Sequence, residues 1–304
     1  MRPQTVSTPG WYDTRMPPSV SLSAPALAAP GFLLAPGRPA IPAQPACGCR
    51  SKAAAISATI LTKNSAARLD EVLRALSWCD EVLVLDTGST DETIRIAGRH
   101  PNASIHRLDG PFPGFGRAHG RAVALARNDW ILSVDSDEIV SSALAEEISG
   151  IRLDPNTVYS IPFHNYFGGR LITTCGWYPE THERLFNRTA TSFCASEVHE
   201  RVQTHGLKQE RLRNPVGHYS YGSLGDFLRK MQFYSQLFAD QHAGSRRSSA
   251  AKAVTRSTWA FFKSYCLQRG CLQGREGLII SAYKAQTVFW KYLLLEEANM
   301  DLCR

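Results

Sequence analysis

Two acidic sequences follow apolar runs in this 304-residue chain, and both have the composition of a ligand-binding loop. Residues 130–134 (Trp-Ile-Leu-Ser-Val) precede Asp135-Ser136-Asp137-Glu138, and residues 81–85 (Glu-Val-Leu-Val-Leu) precede Asp86. Two carboxylates one residue apart in an extended turn can bind one hard divalent cation, Mg²⁺ or Mn²⁺. Such a cation can bridge diphosphate oxygens and stabilise a departing nucleoside diphosphate. An acidic turn is also a common solvated feature, so its position after a buried strand is what makes it a candidate site.

The strands that would position these acids alternate with helices along the chain. Four apolar runs of strand length occur, at residues 56–61, 81–85, 104–108 and 130–134. Helical spacing or helix-start signals separate them, at residues 67–78, 89–92 and 117–127. This alternation predicts an α/β fold with a mostly parallel sheet. Ligands of such sheets bind beyond the carboxyl ends of the strands, so Asp86 and residues 135–138 are expected to line one crevice.

Composition divides the chain into three regions. Residues 1–52 contain most of the 17 prolines, mixed with Ser, Ala and Gly, and are predicted to be disordered. Residues 53–222 carry the strand and helix patterns of a catalytic domain, with a change of texture near residue 150. Residues 223–304 become helical, amphipathic and basic. The site is therefore expected within residues 53–222.

Charge is distributed unevenly between the two halves. Residues 53–200 carry 13 Lys/Arg against 19 Asp/Glu, whereas residues 201–304 carry 16 against 7. An acidic half joined to a basic, aromatic-rich half indicates an anionic partner surface, either lipid or nucleic acid. The acidic balance of the first half argues against nucleic acid. The eight cysteines include no Cys-x-x-Cys pair, and reduced thiols in a cytosolic protein are expected.

Several sequence blocks resemble the family 2 glycosyltransferases, which are inverting enzymes of the GT-A fold. The first blocks are residues 60–64 (Ile-Leu-Thr-Lys-Asn), 84–91 (Val-Leu-Asp-Thr-Gly-Ser-Thr-Asp) and 129–138 (Asp-Trp-Ile-Leu-Ser-Val-Asp-Ser-Asp-Glu). Later blocks are similar to the branch that contains lipopolysaccharide core β-glucosyltransferases. These are Gly176-Trp177-Tyr178-Pro179, Arg184-Leu185-Phe186-Asn187-Arg188, Val198-His199-Glu200 and His218-Tyr219-Ser220-Tyr221. The resemblance covers roughly residues 55–295.

The resemblance implies a Rossmann-like GT-A domain that binds a nucleotide-sugar. Residues 53–150 would form the nucleotide-sugar half and residues 151–222 the acceptor half. The implied nucleotide contacts are Thr62 and Asn64 at the nucleoside, Asp86 at the uracil edge, Asp91 near the ribose and Asp135 at the ribose and diphosphate. The donor is then expected to be a nucleotide-sugar, a UDP-hexose by resemblance.

The resemblance also implies a metal site and a catalytic base. Asp135 and Asp137 would bind the divalent cation, and His218 would be a late contact to the metal or phosphate. Glu200 lies where the family has its base, which removes the proton from the acceptor hydroxyl. His218 beside a tyrosine is otherwise an ordinary packed histidine.

Three positions depart from the family pattern. The acidic residue that follows the Asn64 position is Ser65-Ala66, and the basic residue followed by Asn before the third helix is His119-Gly120. The aspartate after Trp-Tyr-Pro is Glu180. Arg117 or Arg121 is then expected to supply the charge to the diphosphate.

These features predict transfer of a sugar to a lipid-linked or lipopolysaccharide core acceptor. Basic residues beside Trp and Phe in the tail suit helices that lie on anionic lipid. The protein is accordingly expected to be cytoplasmic, peripheral on the inner face of the cytoplasmic membrane, and not to bind nucleic acid. A non-catalytic homologue is the main alternative, and a nucleic-acid-binding protein is less favoured. A nucleotidyltransferase lacks support, because no basic Gly-rich phosphate signature precedes the first helix.

Overall fold

The computed structural model describes residues 54–194 and 201–302. The predicted disorder of residues 1–52 lies outside the described residues. The Val198-His199-Glu200 block, with the predicted base Glu200, lies outside them as well.

The first half of the described chain is an alternation of parallel strands and helices. The strands are β1 (Ile56–Thr62), β2 (Glu81–Asp86), β3 (Ala103–Arg107) and β4 (Trp130–Asp135). The helices between them are α1 (Leu69–Ala75), α2 (Thr93–Ala97) and α3 (Phe115–Leu125). All four strands pair in parallel in the order β3-β2-β1-β4. The predicted alternation is confirmed.

The second half extends the same sheet with strands of both directions. Its elements are β5 (Glu138–Val140), α4 (Ser142–Gly150), β6 (Thr157–Phe167), β7 (Arg170–Leu171), β8 (Glu180–Asn187), β9 (Lys208–Arg211) and β10 (Val216–Tyr221). Strand β8 runs antiparallel between β4 and β6, and β10 runs parallel to β6 and antiparallel to β5. The predicted α/β class is therefore confirmed, with the parallel pairing concentrated in β1–β4.

Apolar side chains cover both faces of the central strands. Ile60, Val84 and Leu132 pack on one face with α1, and Leu83 and Ile131 pack on the other with α3. Burial on both faces is why these strands read as continuous apolar runs rather than as alternating ones. Each such side chain contributes about 1.5–3 kcal/mol when it is fully buried. The strand ends that carry Asp86 and Asp135 are consequently held by a well-packed core.

The C-terminal region is helical, as predicted. It consists of α5 (Leu224–His242), α6 (Ala250–Phe262), a π-helical turn (Lys263–Leu267), a 3-10 turn (Gly270–Gln273) and α7 (Gly274–Asp301). Helix α7 packs against α5 and α6, and Ile280 of α7 joins Phe227 of α5 in a cluster with Phe167 of the sheet. No helix among the described residues combines the length and the apolar character needed to cross a bilayer.

Candidate active site

The two acidic loops predicted to share a crevice begin at the same edge of the sheet. Asp86 ends β2 and Asp135 ends β4, with β1 between them. Neighbouring strands are about 4.8 Å apart, so the two strand ends are about 10 Å apart. The register pairs Asp86 with Thr62 and Asp135 with Leu61. Because alternate residues face opposite sides of a sheet, the two carboxylates border this edge from opposite faces.

Four of the residues implied to contact the nucleoside lie in one hydrogen-bonded set of loops. Asn64 adopts a left-handed conformation with φ 53°, and its Oδ1 accepts the Thr90 N–H at 2.8 Å. The Asp86 carboxylate accepts the Ser89 N–H at 3.0 and 3.2 Å. The Thr62 carbonyl accepts the N–H of residue 87. These bonds fix the loop after β1 against the loop after β2.

Asp91 fastens the same loops to the start of α2. Its carboxylate accepts the Thr93 N–H at 3.0 Å, the Thr93 hydroxyl at 2.5 Å and the Ala66 N–H at 3.2 Å. Burial raises the pKa of Asp91, but these hydrogen bonds outweigh it and hold the pKa below its ordinary value. Asp91 is therefore a fixed anion that shapes the loop around Asn64.

An arginine for which the sequence predicted no role in the site, Arg184, joins the acidic loop to β8. Arg184 Nη2 donates to Asp135 Oδ2 at 2.8 Å and to Glu138 Oε1 at 2.5 Å. Across β6, Leu185 pairs with Tyr159 and residue 183 pairs with residue 160, so Arg184 is the extra residue of a β-bulge. Bulges re-aim side chains next to active sites. The bulge accounts for the reach of Arg184 into the loop.

The shared guanidinium separates the acidities of the two carboxyl groups. Burial raises the pKa of Asp135, but the positive charge of Arg184 outweighs it and holds that pKa well below its ordinary value. Glu138 is only 1% exposed, and burial together with the Asp135 charge raises its pKa well above the ordinary value, against the effect of Arg184. Glu138 also accepts the Asp135 N–H at 3.0 Å, so it supports the turn from beneath.

Asp137 and His218, two of the residues implied to bind the metal, lie side by side. His218 Nε2 is 3.8 Å from Asp137 Oδ1, and the Tyr219 N–H donates to the Asp137 carbonyl at 3.0 Å. Metal–oxygen bonds of Mg²⁺ are about 2.1 Å, so a single ion can reach both atoms across this gap. No three His, Cys, Asp or Glu side chains of the described residues already form a metal cluster.

The hydrogen bonds of His218 favour the protonation state that binds a metal. Glu180 has a pKa held below its ordinary value, first by the His182 hydrogen bond, so its carboxylate can only accept. Asn165 Nδ2 must therefore donate to Glu180 Oε2, at 2.5 Å, which leaves Asn165 Oδ1 to accept from His218 Nδ1 at 2.6 Å. Burial lowers the pKa of His218 despite the nearby carboxylates. A neutral ring with its proton on Nδ1 has its lone pair on Nε2, the atom that faces Asp137 and accepts a hydrogen bond from the Ser220 hydroxyl. A metal at Nε2 would therefore replace the Ser220 hydrogen bond.

A serine at one of the departures from the family pattern connects the two loops. Ser65 Oγ donates to Ser136 Oγ at 2.8 Å, and the Ser65 N–H donates to Thr93 Oγ1 at 2.7 Å. Ser136 lies between Asp135 and Asp137, so this bond couples the loop after β1 to the acidic turn. From the sequence, Ser65 was notable only because it stands where the family pattern has an acidic residue.

Helix α3 places His119 near the acidic turn and leaves Arg117 and Arg121 exposed. His119 is 2% exposed, stacks on Phe193 with ring centroids 4.6 Å apart, and is close enough to Asp135 to feel its charge. Two residues along an α-helix correspond to a rotation of about 200°, so exposed Arg117 and Arg121 lie on the face of α3 opposite His119. Burial lowers the pKa of His119 to about 4, so it is neutral at pH 7. The structure therefore brings together Thr62, Asn64, Asp86 and Asp91, and separately Asp137 and His218, with the charge of Asp135 acting on His218. The contact of Arg117 or Arg121 with a diphosphate stays a prediction.

Comparisons with known proteins identify the family of the chain. The family described as glycosyl transferase family 2 matches residues 57–205. An uncharacterized glycosyltransferase of Rickettsia felis is 30% identical over 261 residues, which are 80% of this chain and 90% of that protein. The chain belongs to the family 2 glycosyltransferases. The predicted family and the enzyme class are thereby confirmed.

Two other proteins similar to this family 2 glycosyltransferase come from bacteria. The lipopolysaccharide core biosynthesis glycosyltransferase LpsC of Rhizobium meliloti is 22% identical over 259 residues, 81% of this chain and 96% of LpsC. The glucosyl-3-phosphoglycerate synthase of Mycobacterium tuberculosis, solved with Mn²⁺, UDP and glucosyl-3-phosphoglycerate, is 27% identical with a TM-score of 0.31. That match spans 38% of this chain and less than half, 46%, of the synthase.

Proposed function

We propose that this glycosyltransferase moves a hexose from a UDP-sugar to a lipid-linked saccharide of the lipopolysaccharide core, with inversion at the anomeric carbon. The observation that carries the proposal is the Asp137–His218 pair, 3.8 Å apart, at the sheet edge that also bears Asp86. Similarity to LpsC over most of both chains supports the class of acceptor.

The donor set at this edge suits a divalent cation and a diphosphate. Asp135, Asp137 and His218 offer carboxylate oxygens and one imidazole lone pair, and they would hold Mg²⁺ or Mn²⁺. When bound, the cation neutralises charge that develops on the departing nucleoside diphosphate. Arg184 holds Asp135 ionised, and Asn165 holds the His218 ring in orientation.

The acceptor half of the reaction requires a base on the opposite side of the sugar from the diphosphate. Glu200 is proposed for this role on the strength of the family resemblance. Its carboxylate would take the proton of the acceptor hydroxyl as that oxygen attacks the anomeric carbon.

The nucleoside preference provides a direct test of Asp86. Its carboxylate accepts the Ser89 N–H and retains lone pairs for the imide N–H of uracil. Cytosine has an acceptor at that ring position, so CDP should lose a charged hydrogen bond, worth about 1.5–3 kcal/mol. We expect UDP to bind about 10- to 100-fold more tightly than CDP in titration calorimetry with Mn²⁺. Asp86→Asn should reduce the ratio of UDP affinity to CDP affinity. Equal affinities of the wild-type protein for UDP, CDP and GDP would show that Asp86 does not recognise the base.

A basic, apolar surface of the C-terminal region supports docking on an anionic membrane. Residues 246–275 contain seven Lys/Arg and no Asp/Glu. The same segment exposes Trp259, Phe262, Leu267 and Leu272. Aromatic and aliphatic side chains among cations are typical of interfacial helices, and each cation near anionic lipid contributes about 1 kcal/mol. A protein docked on the membrane through this surface would be close to a lipid-linked acceptor.

Vesicle binding tests this surface. We expect the protein to float with phosphatidylcholine vesicles that contain phosphatidylglycerol, and much less with pure phosphatidylcholine. The Trp259→Ala/Phe262→Ala variant should lose most of this binding. The matched control is Phe233→Ala/Tyr234→Ala, an aromatic pair on α5 of similar exposure outside the acid-free segment. Unchanged flotation of the Trp259 variant, or equal loss in the control, would reject this docking face.

A further inference from the structure

A lysine of α5 lies beside the Asp137–His218 pair. Lys230 Nζ donates to the Ser220 carbonyl at 3.1 Å and lies 4.5 Å from the centroid of the Tyr221 ring. The Ser220 hydroxyl in turn hydrogen-bonds His218 Nε2. Ser220 therefore contacts both Lys230 and His218, the histidine that faces Asp137.

The packing of α5 fixes this placement. Phe227 is buried and stacks on Tyr221 with ring centroids 4.2 Å apart. Residues three apart share a helix face, so Lys230 lies on the same side of α5 as Phe227. A capping box between Ser223 and Asp226 fixes the start of the helix. The ammonium is therefore held over the end of β10 rather than carried on a loose surface side chain.

The surroundings of Lys230 leave its charge available. Its ammonium lies in the electrostatic field of Asp137 and Asp135, although burial lowers its pKa. Asp226, the acid nearest to it along α5, forms its ion pair with Arg229. Within the described ranges, no ion pair within 4.0 Å includes Lys230. An ammonium has three N–H donors, and the Ser220 carbonyl takes one of them.

The charges around the site indicate which ligand group Lys230 binds. Arg117 and Arg121 are exposed on α3, each about 200° around the helix from buried His119. Arg184 is shared by Asp135 and Glu138. A donor diphosphate adds negative charge next to Asp137. The half-buried ammonium of Lys230 has N–H groups left to donate, and it can stabilise that charge with little reorganisation.

We propose that Lys230 binds the diphosphate of the nucleotide-sugar donor and stabilises the departing nucleoside diphosphate. This rests on the proposed function. In the transfer, the bond between the anomeric carbon and the diphosphate oxygen breaks as the acceptor oxygen forms its bond to that carbon. The acceptor proton goes to the base, and the electron pair of the broken bond stays on the diphosphate. Lys230 donates hydrogen bonds to that anion and transfers no proton.

The test compares UDP with UMP, which lacks the second phosphate. Lys230→Met keeps much of the side-chain length and removes the charge, whereas Lys230→Arg keeps the charge. A matched control exists in α6: Lys252 also donates to a backbone carbonyl, that of residue 247, at 2.8 Å and lies over the Tyr292 ring at 5.2 Å. Affinities are measured by calorimetry with Mn²⁺ on the full chain, with thermal midpoints of all variants recorded.

Lys230→Met should weaken UDP binding by about 10- to 100-fold, the loss expected for a charged hydrogen bond. UMP affinity should fall much less, Lys230→Arg should retain most of the UDP affinity, and Lys252→Met should bind as the wild type does. Wild-type UDP affinity in Lys230→Met would overturn the assignment of Lys230 and leave the proposed function standing. Equal losses for UDP and UMP, together with a lowered thermal midpoint that Lys230→Arg restores, would assign Lys230 a structural role instead. A wild-type protein that binds no UDP would overturn both proposals.

Discussion

Asp137→Asn is expected to reduce sugar transfer by about 10²–10³-fold or more while the thermal midpoint stays nearly unchanged. Asp137 is 34% exposed in a surface turn, and its side chain takes no part in the packed core. Asparagine keeps the shape but removes the charge that would bind the cation beside His218. A catalytic metal ion contributes several kcal/mol, and each 1.36 kcal/mol is a factor of ten in rate.

Asp240→Asn is the matched control for this variant. Asp240 is an exposed aspartate of α5 whose carboxylate accepts only a hydrogen bond from Gln236 among the described residues. Its replacement should leave both turnover and stability unchanged. Turnover that is unchanged in Asp137→Asn, while a cation is still required, would place the metal on other residues.

Glu200→Gln is expected to lower the transfer rate by about 10²–10⁴-fold, the usual contribution of a general base. Glutamine has the same size and can still form hydrogen bonds, but it cannot take the acceptor proton at neutral pH. UDP affinity should persist, because the proposed donor contacts lie at Asp86, Asp135 and Asp137. Donor hydrolysis should fall less than transfer, since water needs less help than a positioned sugar hydroxyl.

The comparison of rates with binding separates a base from a structural residue. Transfer, donor hydrolysis, UDP affinity and thermal midpoint are measured for Glu200→Gln and the wild type under the same conditions. A joint loss of stability and UDP affinity would mean that Glu200 holds its loop, through Arg184 or Arg201. In that case Glu183 or Glu197 becomes the next candidate for the base.

The central strands could be predicted closely because their signal is local. Burial on both faces makes β1, β2 and β4 continuous apolar runs, and each ends within one residue of the predicted position. The C-terminal helices could be predicted less closely from the sequence. Residues 247–295 have one helical pattern, but the structure interrupts it between Lys263 and Gln273. The interruption depends on tertiary contact, since a Cβ on Gly270 would come within 2.9 Å of Cys175 and Ser281.

The acidic residues of the site could be found from the sequence, whereas most of their partners could not. Asp86 and Asp135 are visible because each follows an apolar run directly, and Asp137 is visible because it lies two residues after Asp135. Arg184 reaches Asp135 only through a β-bulge, and Lys230 reaches the site from a helix some 90 residues along the chain. Both placements depend on long-range packing rather than on local pattern. Arg117 and Arg121 are exposed on α3, and their contact with the diphosphate stays a prediction.

The most direct test of the central claim is the release of UDP from a panel of UDP-hexoses by the purified full chain. The proposed site predicts that at least one UDP-hexose is turned over with Mn²⁺ or Mg²⁺, slowly to water and faster with a lipopolysaccharide core acceptor. EDTA should abolish the release, and Asp137→Asn should reproduce that loss while the protein remains folded. A folded wild-type protein that releases no UDP from any of these donors, or that releases it equally well in EDTA, would contradict a cation-dependent nucleotide-sugar site at this edge of the sheet.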